Sequence, residues 1–379
     1  MATLMRAQRA KLRVSSRPAF VTRSLDLGNY FLFRNIQANG VSVFEARGIT
    51  FLFRRIDILH FHWPDNVLRS VSLPKAAACV VAVAILLLWM RMRRVRIVWT
   101  AHNMRSHEQH HPTLENLFWR MWWYAVDGVI FHSDAALTEA RERDWPRKGS
   151  HAIVIPLSEF TPMYQVSARP IRIGRQRRIG FVGRIRKYKG VKRLITAFSE
   201  ASLEDFRLLV AGAPESDYIR EETLAAASAS ACIDLLLRFL EERELIDLIS
   251  QCDLIALPFV SVTNSGSALL ALSCGTPVMV PRTAYFEELQ REVGAEWVHL
   301  FDGDLNGKQL QECVQAIKKG ESVRPSRPSF DDKRSLHWAA STTVAFYHKV
   351  LSGSSEVLQP PTAELASHLP VNPNACKIE

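Results

Sequence analysis

Residues 178–190 read Arg-Ile-Gly-Phe-Val-Gly-Arg-Ile-Arg-Lys-Tyr-Lys-Gly, and their chemistry is that of an anion grip. Gly183 and Gly190 lack a Cβ, so backbone N–H groups can approach a ligand closely. Arg184, Arg186, Lys187 and Lys189 crowd the turn between them with positive charge. Arg184 offers two parallel hydrogen bonds to a phosphate, and Lys189 a mobile point charge. Ile179, Phe181 and Val182 read as a buried strand before the turn, while Leu194, Ile195 and Phe198 take a helical period after it. A helix start adds its positive end to such a site. An ordinary solvated basic loop is the alternative reading of the same residues. No Gly-Lys-Ser/Thr follows, so this is not a Walker loop, and the glycine spacing is not G-x-G-x-x-G.

Two stretches in the first half carry the other reactive side chains. Asp57–Asp65 (Asp-Ile-Leu-His-Phe-His-Trp-Pro-Asp) is a strand that stops at Pro64, which cannot donate to a ladder. Ligands in open α/β sheets gather beyond the carboxyl ends of strands, so His62, Trp63 and Asp65 are expected to face a cleft. His60 and His62 read equally as packing histidines. Strand 96–100 is followed by Thr-Ala-His-Asn-Met-Arg-Ser-His-Glu-Gln-His-His, which supplies His102 and Asn103. His102, His107, His110 and His111 lack a structured spacing or a cysteine partner, so no metal site is assigned to them. In the second half, Asn264 or Ser265 is expected to cap a helix beginning at Gly266, whose first N–H groups would meet a phosphate. Asp302-Gly-Asp304 has the form of a metal-binding D-x-D but lies late in the chain, and it reads as a turn.

The elements that must position these residues alternate strand and helix twice. A helix over Tyr30–Ile36 and strands at 41–44, 57–62, 96–100, 128–132 and 152–155 make a first sheet. Strands at 178–182, 207–211, 233–237, 253–257, 278–280 and 297–300 make a second, with helices over 190–201, 218–228, 241–251, 266–273, 285–292 and 307–319. This alternation predicts α/β architecture with two doubly wound parallel sheets. The expected domains are a disordered basic arm (1–25), a first Rossmann-like domain (26–160) and a linker (161–177). A second domain (178–328), a closing helix (329–352) and a disordered tail (353–379) follow. The arm carries six Arg/Lys and no acid, with no apolar core that would make it a secretory signal. Ala76–Met90 is an uncharged apolar run of fifteen residues followed by Arg91, Arg93, Arg94 and Arg96. It stands where a βαβ unit needs its crossover helix, and a second reading lets that helix also dip into a bilayer surface.

The motif Gly-Arg-Ile-x-x-x-Lys-Gly-Val-x-x-Leu-Ile-x-Ala at 183–197 resembles the donor-diphosphate loop of GT-B nucleotide-sugar glycosyltransferases. The resemblance continues through Leu-Leu-Val-Ala-Gly (208–212), Asp253–Pro258 and Cys-Gly-Thr-Pro-Val (274–278). It implies a GT-B fold, two Rossmann-like domains facing a cleft. It also implies that Gly183, Arg184, Lys189, Ser265 and Gly266 bind the donor diphosphate. The stretch around His102 resembles bacterial exopolysaccharide glycosyltransferases, which implies that His102 lies where donor and acceptor meet. With Asp65 it is the candidate base; His62 and Asn103 are expected on the acceptor side. The pair of glutamates common in retaining members, separated by seven residues, is missing: Leu270 stands at the second position and Val262 or Thr263 at the first. The Ser-Gly-Ser-Ala-Leu-Leu-Ala-Leu stretch at 265–272 is instead similar to β-mannosyltransferase-like proteins of exopolysaccharide assembly.

With 379 residues, 47% hydrophobic and 23% charged, the composition is that of a two-domain globular protein. The net charge of +10 predicts anionic partners: a nucleotide-sugar donor and an anionic membrane surface. Nucleic acid is excluded, because no zinc-finger, RNA-recognition or helix-turn-helix signature accompanies the basic residues. The six cysteines form no C-x-x-C pair and read as reduced core residues of a cytosolic protein. The combined expectation is a metal-independent hexosyltransferase without a cofactor, cytoplasmic and peripheral at the inner face of the cell membrane. By resemblance its donor is GDP-mannose and its acceptor a lipid-linked glycan. A same-fold nucleotide-sugar epimerase and a non-catalytic nucleotide-sugar-binding subunit are the alternatives.

Overall fold

The computed structural model describes residues 11–21, 27–68, 72–104, 111–145, 149–164, 176–228, 230–320 and 327–354. The first sheet contains β1 (Arg13–Arg17), β2 (Ser42–Glu45), β3 (Ile58–Phe61), β4 (Arg96–Thr100), β5 (Gly128–Phe131) and β6 (His151–Val154). All its pairings are parallel, in the order β2-β1-β3-β4-β5-β6. The second contains β7 (Arg177–Val182), β8 (Phe206–Ala211), β9 (Ile233–Leu236), β10 (Leu254–Ala256), β11 (Val278–Pro281) and β12 (Val298–Phe301). Its strands are parallel in the order β12-β11-β10-β7-β8-β9, so the order reverses between β7 and β10. The loops leaving β7 and β10 therefore diverge at a crevice, the place where doubly wound sheets hold ligands. That is where the sequence puts residues 183–190 and 257–265.

The helices of the first domain are α1 (Leu27–Ala38), α2 (Leu73–Met92), α3 (Pro112–Ala125), α4 (Asp134–Glu142) and the one-turn α5 (Thr161–Tyr164). Those of the second are α6 (Val191–Ala201), α7 (Asp217–Ala227), α8 (Glu242–Ser250), α9 (Gly266–Ser273), α10 (Ala284–Val293) and α11 (Gly307–Gly320), and the described chain ends in α12 (Leu336–Ser352). The side-chain oxygens of Ser216, Ser265, Thr283 and Ser335 accept from backbone N–H groups in the first turns of α7, α9, α10 and α12. Such caps satisfy N–H groups that a helix start leaves without partners. At α4 the cap is Ser133, with Asp134 one position inside, where its charge favours the positive helix end.

The second domain has one continuous core around Phe181, Leu208, Leu270, Phe286 and Val298. The first sheet is covered on one face by α2, α3 and α4, with Trp99, Trp119, Trp122 and Trp123 in the core. Its other face is covered by α1 and α12, through Phe33, Ile36, Phe346, Tyr347 and Val350. The closing helix thus crosses back onto the first domain. Gly128 makes this approach close: a Cβ there would lie 2.7 Å from Val350 Cγ2.

Two expectations change. Residues 13–17, placed by sequence in a disordered arm, form β1, an interior strand between β2 and β3. Their basic ends hid a buried centre, with Val14, Ser15 and Ser16 at 0% exposure. Asp57 secures the register by accepting from Arg13 N at 2.8 Å. The remainder of the arm up to residue 10, the linker core 165–175 and the tail beyond 354 lie outside the described residues. The apolar crossover helix is also longer than its uncharged run, because Leu73–Lys75 and Arg91–Met92 extend it to 20 residues.

Candidate active site

A cavity of about 560 Å³ opens between the two domains, at the carboxyl ends of both sheets. Its second-domain wall is built by the loops after β7 and β10. Gly190 has φ +69°, and a Cβ there would collide with the carbonyl oxygen of Pro258, so the two loops touch through the missing side chain. Arg184, Arg186, Tyr188 and Lys189 reach the cavity from the first loop. Arg186 is partly neutralised by Glu215 at 3.3 Å. Lys189 is half-buried beneath the loop, 5.9 Å from the Phe181 ring. Removal from water, reinforced by Arg186 and Arg184, pushes its ammonium down to about 8. Among the described residues no carboxylate pairs with Lys189, which leaves its charge poised to receive an anion. Gly183 stands at the floor, φ +134°, where a Cβ would sit 3.8 Å from both Lys189 Nζ and Ser267 Oγ.

The second loop ends in the start of α9. Ser265, 4% exposed, accepts from Ala268 N at 3.1 Å, and Ser265, Gly266 and Ser267 line the cavity. Ser265 is thus the cap. Asn264 has a different task, donating Nδ2–H to the carbonyl oxygen of His102 at 2.7 Å across the domain boundary. Leu270, where a glutamate is common, faces the second-domain core. Among the described residues lining the cavity there is no Asp or Glu.

The first-domain wall is a cluster of imidazoles at the ends of β3, β4 and β5. His60, fully buried, has Nδ1 2.6 Å from Tyr347 Oη and Nε2 2.8 Å from Thr100 Oγ1, and burial lowers it to about 3. It is a packing histidine tied to α12. His62 stacks on it at 4.6 Å and places Nδ1 3.0 Å from His102 Nε2. Trp63 stacks on His102 at 4.4 Å and 17°. His132 lies 4.9 Å from His102 and donates Nδ1–H to the carbonyl of Ile155 at 2.9 Å. Burial is the main cause holding all of them neutral: His132 falls to about 4, with Arg334 adding to the effect, and His62 and His102 drop well below 6.5, both pressed further by neighbouring imidazoles. The Nε2 atoms of His62 and His132 are buried without a hydrogen-bond partner. Neutral rings next to a cavity can accept a proton from a bound hydroxyl.

Arg184, Lys189, Ser265 and Gly266 therefore meet His62, His102 and Asn103 around one space, with Gly183 just behind. Asp65 does not join them. It is buried in the 3-10 turn Pro64–Leu68, and its neighbours Trp63 and Asn66 line the cavity in its place. Asp65 lies beyond the carboxyl end of β3 as expected, but the turn starting at Pro64 folds its side chain inward instead of into the cavity. Sequence reasoning missed His132, although its place directly after β5 is the signal that would have found it. Asn264 as a bridge had no signal at all, since its partner is a backbone atom in the other domain. Asp302 and Asp304 are engaged by Arg282 at 2.7 Å and Arg193 at 2.6 Å in a turn around Gly303. Among the described residues no three His, Cys, Asp or Glu side chains are grouped to share a metal ion, and His107 and His110 lie outside those residues.

Residues 176–315 match the family described as Glycosyl transferases group 1. Over 298 residues the chain is 29% identical to a GDP-mannose:glycolipid 4-beta-D-mannosyltransferase of Xanthomonas campestris pv. campestris, covering 76% of this chain and 80% of that one. Over 173 residues it is 27% identical to a D-inositol 3-phosphate glycosyltransferase of Corynebacterium efficiens, 44% of this chain and 40% of the relative. Among solved structures, a sucrose-phosphate synthase from Thermosynechococcus elongatus superposes with a TM-score of 0.61 at 15% identity, over 91% of this chain and all of that one. An α,α-trehalose 6-phosphate synthase from Burkholderia multivorans gives 0.61 at 12% identity, with the same coverage.

Proposed function

We propose, from the premise of a glycosyltransferase with a GT-B fold and a group 1 domain over residues 176–315, that the chain transfers a hexose from a nucleoside-diphosphate sugar to a glycolipid acceptor at a membrane surface. The observation that carries this reading is the pairing of opposite walls. Cations and a capped helix start face a carboxylate-free cavity on one side, and neutral imidazoles face it on the other. The relative acting on GDP-mannose and a glycolipid supports mannose as the sugar and GDP as the carrier.

In this mechanism Arg184, Lys189 and the N–H groups at Gly266 and Ser267 take up the charge that develops on the departing diphosphate. Fixed donors aimed at developing charge are the largest single contribution in many transferases. The acceptor hydroxyl attacks the sugar carbon, the bond to the diphosphate oxygen breaks with its electron pair, and His102 takes the hydroxyl proton. As an imidazolium, His102 would donate Nε2–H to Nδ1 of His62, which spreads the charge over two rings. Asn264 fixes the height of the His102 backbone when the domains are closed. Side-chain cations do the work that a divalent ion does elsewhere, so the transfer is read as metal-independent.

The test is release of GDP from GDP-mannose by the purified protein, with and without a lipid-linked acceptor. Release that depends on the acceptor, with label moving into the lipid phase, is expected. Release without acceptor would replace transfer by the hydrolysing chemistry of an epimerase. Tight GDP binding with no turnover under either condition would leave a binding subunit.

A further inference from the structure

α2 is apolar on every side, yet only one side of it is covered. Ala76, Val80, Leu87 and Met90 are buried against the first sheet. The opposite face shows Val81 (58% exposed), Ile85 (62%), Leu88 (61%) and Met92 (69%), spaced three or four residues apart. A surface helix of a water-soluble domain carries polar residues on that face; one that is apolar all round needs a second partner. Between Lys75 and Arg91 no charged residue interrupts it, and by length and composition its 20 residues would suffice for a membrane span.

Crossing a bilayer is excluded by connectivity. α2 joins β3 to β4, which are adjacent parallel strands, so both of its ends return to one sheet. The outer face is extended by neighbours instead. Trp89 Nε1–H and the Arg93 guanidinium donate to the carbonyl of Leu52, and Arg93 also to that of Arg54 at 2.8 Å. These bonds clamp the loop that bears Ile49 and Phe53, which are 70% and 68% exposed.

We propose that this outer face of α2 lies in the head-group layer of an anionic bilayer, parallel to its plane. The inference rests on the glycolipid reading above and names the surface that reading requires. Charge selects the occupant. Lys75 at the start of the helix and Arg91 and Arg94 at its end are exposed, and α2 contains no acid. A second copy of α2, parallel or antiparallel, would set cation against cation at both ends, whereas anionic lipid phosphates match both. The helix also connects bilayer to cavity. It starts seven residues after Asn66, which lines the cavity, on the side of the sheet where β3 ends. A lipid-linked sugar lying in the same leaflet would meet the first-domain wall without leaving the membrane.

The test is sedimentation with phosphatidylglycerol–phosphatidylcholine vesicles and with phosphatidylcholine alone, for the whole protein and for V81Q/I85Q/L88Q. These three side chains are exposed, so the fold is retained, and GDP affinity by calorimetry serves as the control. The intact protein should bind the anionic vesicles, and the triple variant about tenfold or more weakly, with GDP affinity unchanged. R91E/R94E should lose binding chiefly at low salt; Arg93 is left alone because it holds the Leu52 loop. A triple variant that binds like the intact protein would overturn the proposal. So would an intact protein that is dimeric in solution and becomes monomeric in the triple variant. An intact protein that does not bind GDP would instead count against the glycosyltransferase reading.

Discussion

Lys189 provides a pH test of the donor site. Its ammonium is pushed down to about 8 in the free protein, so about nine molecules in ten carry the charge at pH 7 and about one in ten at pH 9. A bound diphosphate favours the charged form and raises that value again. The sign follows: affinity for GDP is full below pH 8 and declines as pH rises through it, by about tenfold between pH 7 and 9. The decline levels off once the charge-assisted bond is lost altogether, roughly 1.5–3 kcal/mol. Calorimetry with GDP from pH 6.5 to 9.5 measures this, and buffers of different ionisation heat should show proton uptake on binding above pH 8. K189R is the control, because it stays charged while the ligand's own titration is unchanged. K189M should bind weakly throughout. An intact protein whose affinity tracks K189R across the range would refute the assignment of Lys189 to the diphosphate.

Other outcomes follow from the same geometry. G190A should unfold the donor loop or the domain, because φ +69° and the Pro258 carbonyl both oppose a side chain; thermal melting should show a loss well above about 1 kcal/mol. H102N should lower kcat by about 100-fold or more with the melting temperature held, whereas D65N should leave kcat within a fewfold of the intact enzyme. Since burial holds the His102 imidazole well below 6.5, the acid limb of kcat/KM should lie below that pH; a limb at or above it would assign the base elsewhere. Transfer should persist in EDTA, and an absolute need for added Mn²⁺ or Mg²⁺ would end the reading of Arg184 and Lys189 as its substitutes.

The second domain was largely legible because strands such as Leu254–Ala256 and Val278–Pro281 are short apolar runs and α7, α9 and α10 each start at a Ser or Thr cap. The cationic loop at 183–190 was legible through glycines and cations in a local pattern. The first domain was harder. β1 is flanked by Arg13 and Arg17, and its buried Ser15 and Ser16 look polar in a linear reading, although both side chains bond backbone carbonyls. The histidine cluster is assembled from three strands and a helix almost 300 residues away, so no single stretch of sequence contains it. Asp65 has a local reason for lying away from the cavity: it stands beyond the strand end, but a proline-led turn there buries it, and position along the chain does not reveal that direction.

The return of α12 sets a timetable for the chain's synthesis. Tyr347 closes the His60 position, Phe346 and Val350 pack on β5, and α12 shares one face of the first sheet with α1. The ribosome delivers this helix after both sheets, and domains otherwise tend to fold in the order they emerge. The second domain can thus complete its core while the first still lacks a side. A nascent chain would therefore bind nucleotide before its histidine wall exists, and transfer would wait until residue 352 has left the exit tunnel.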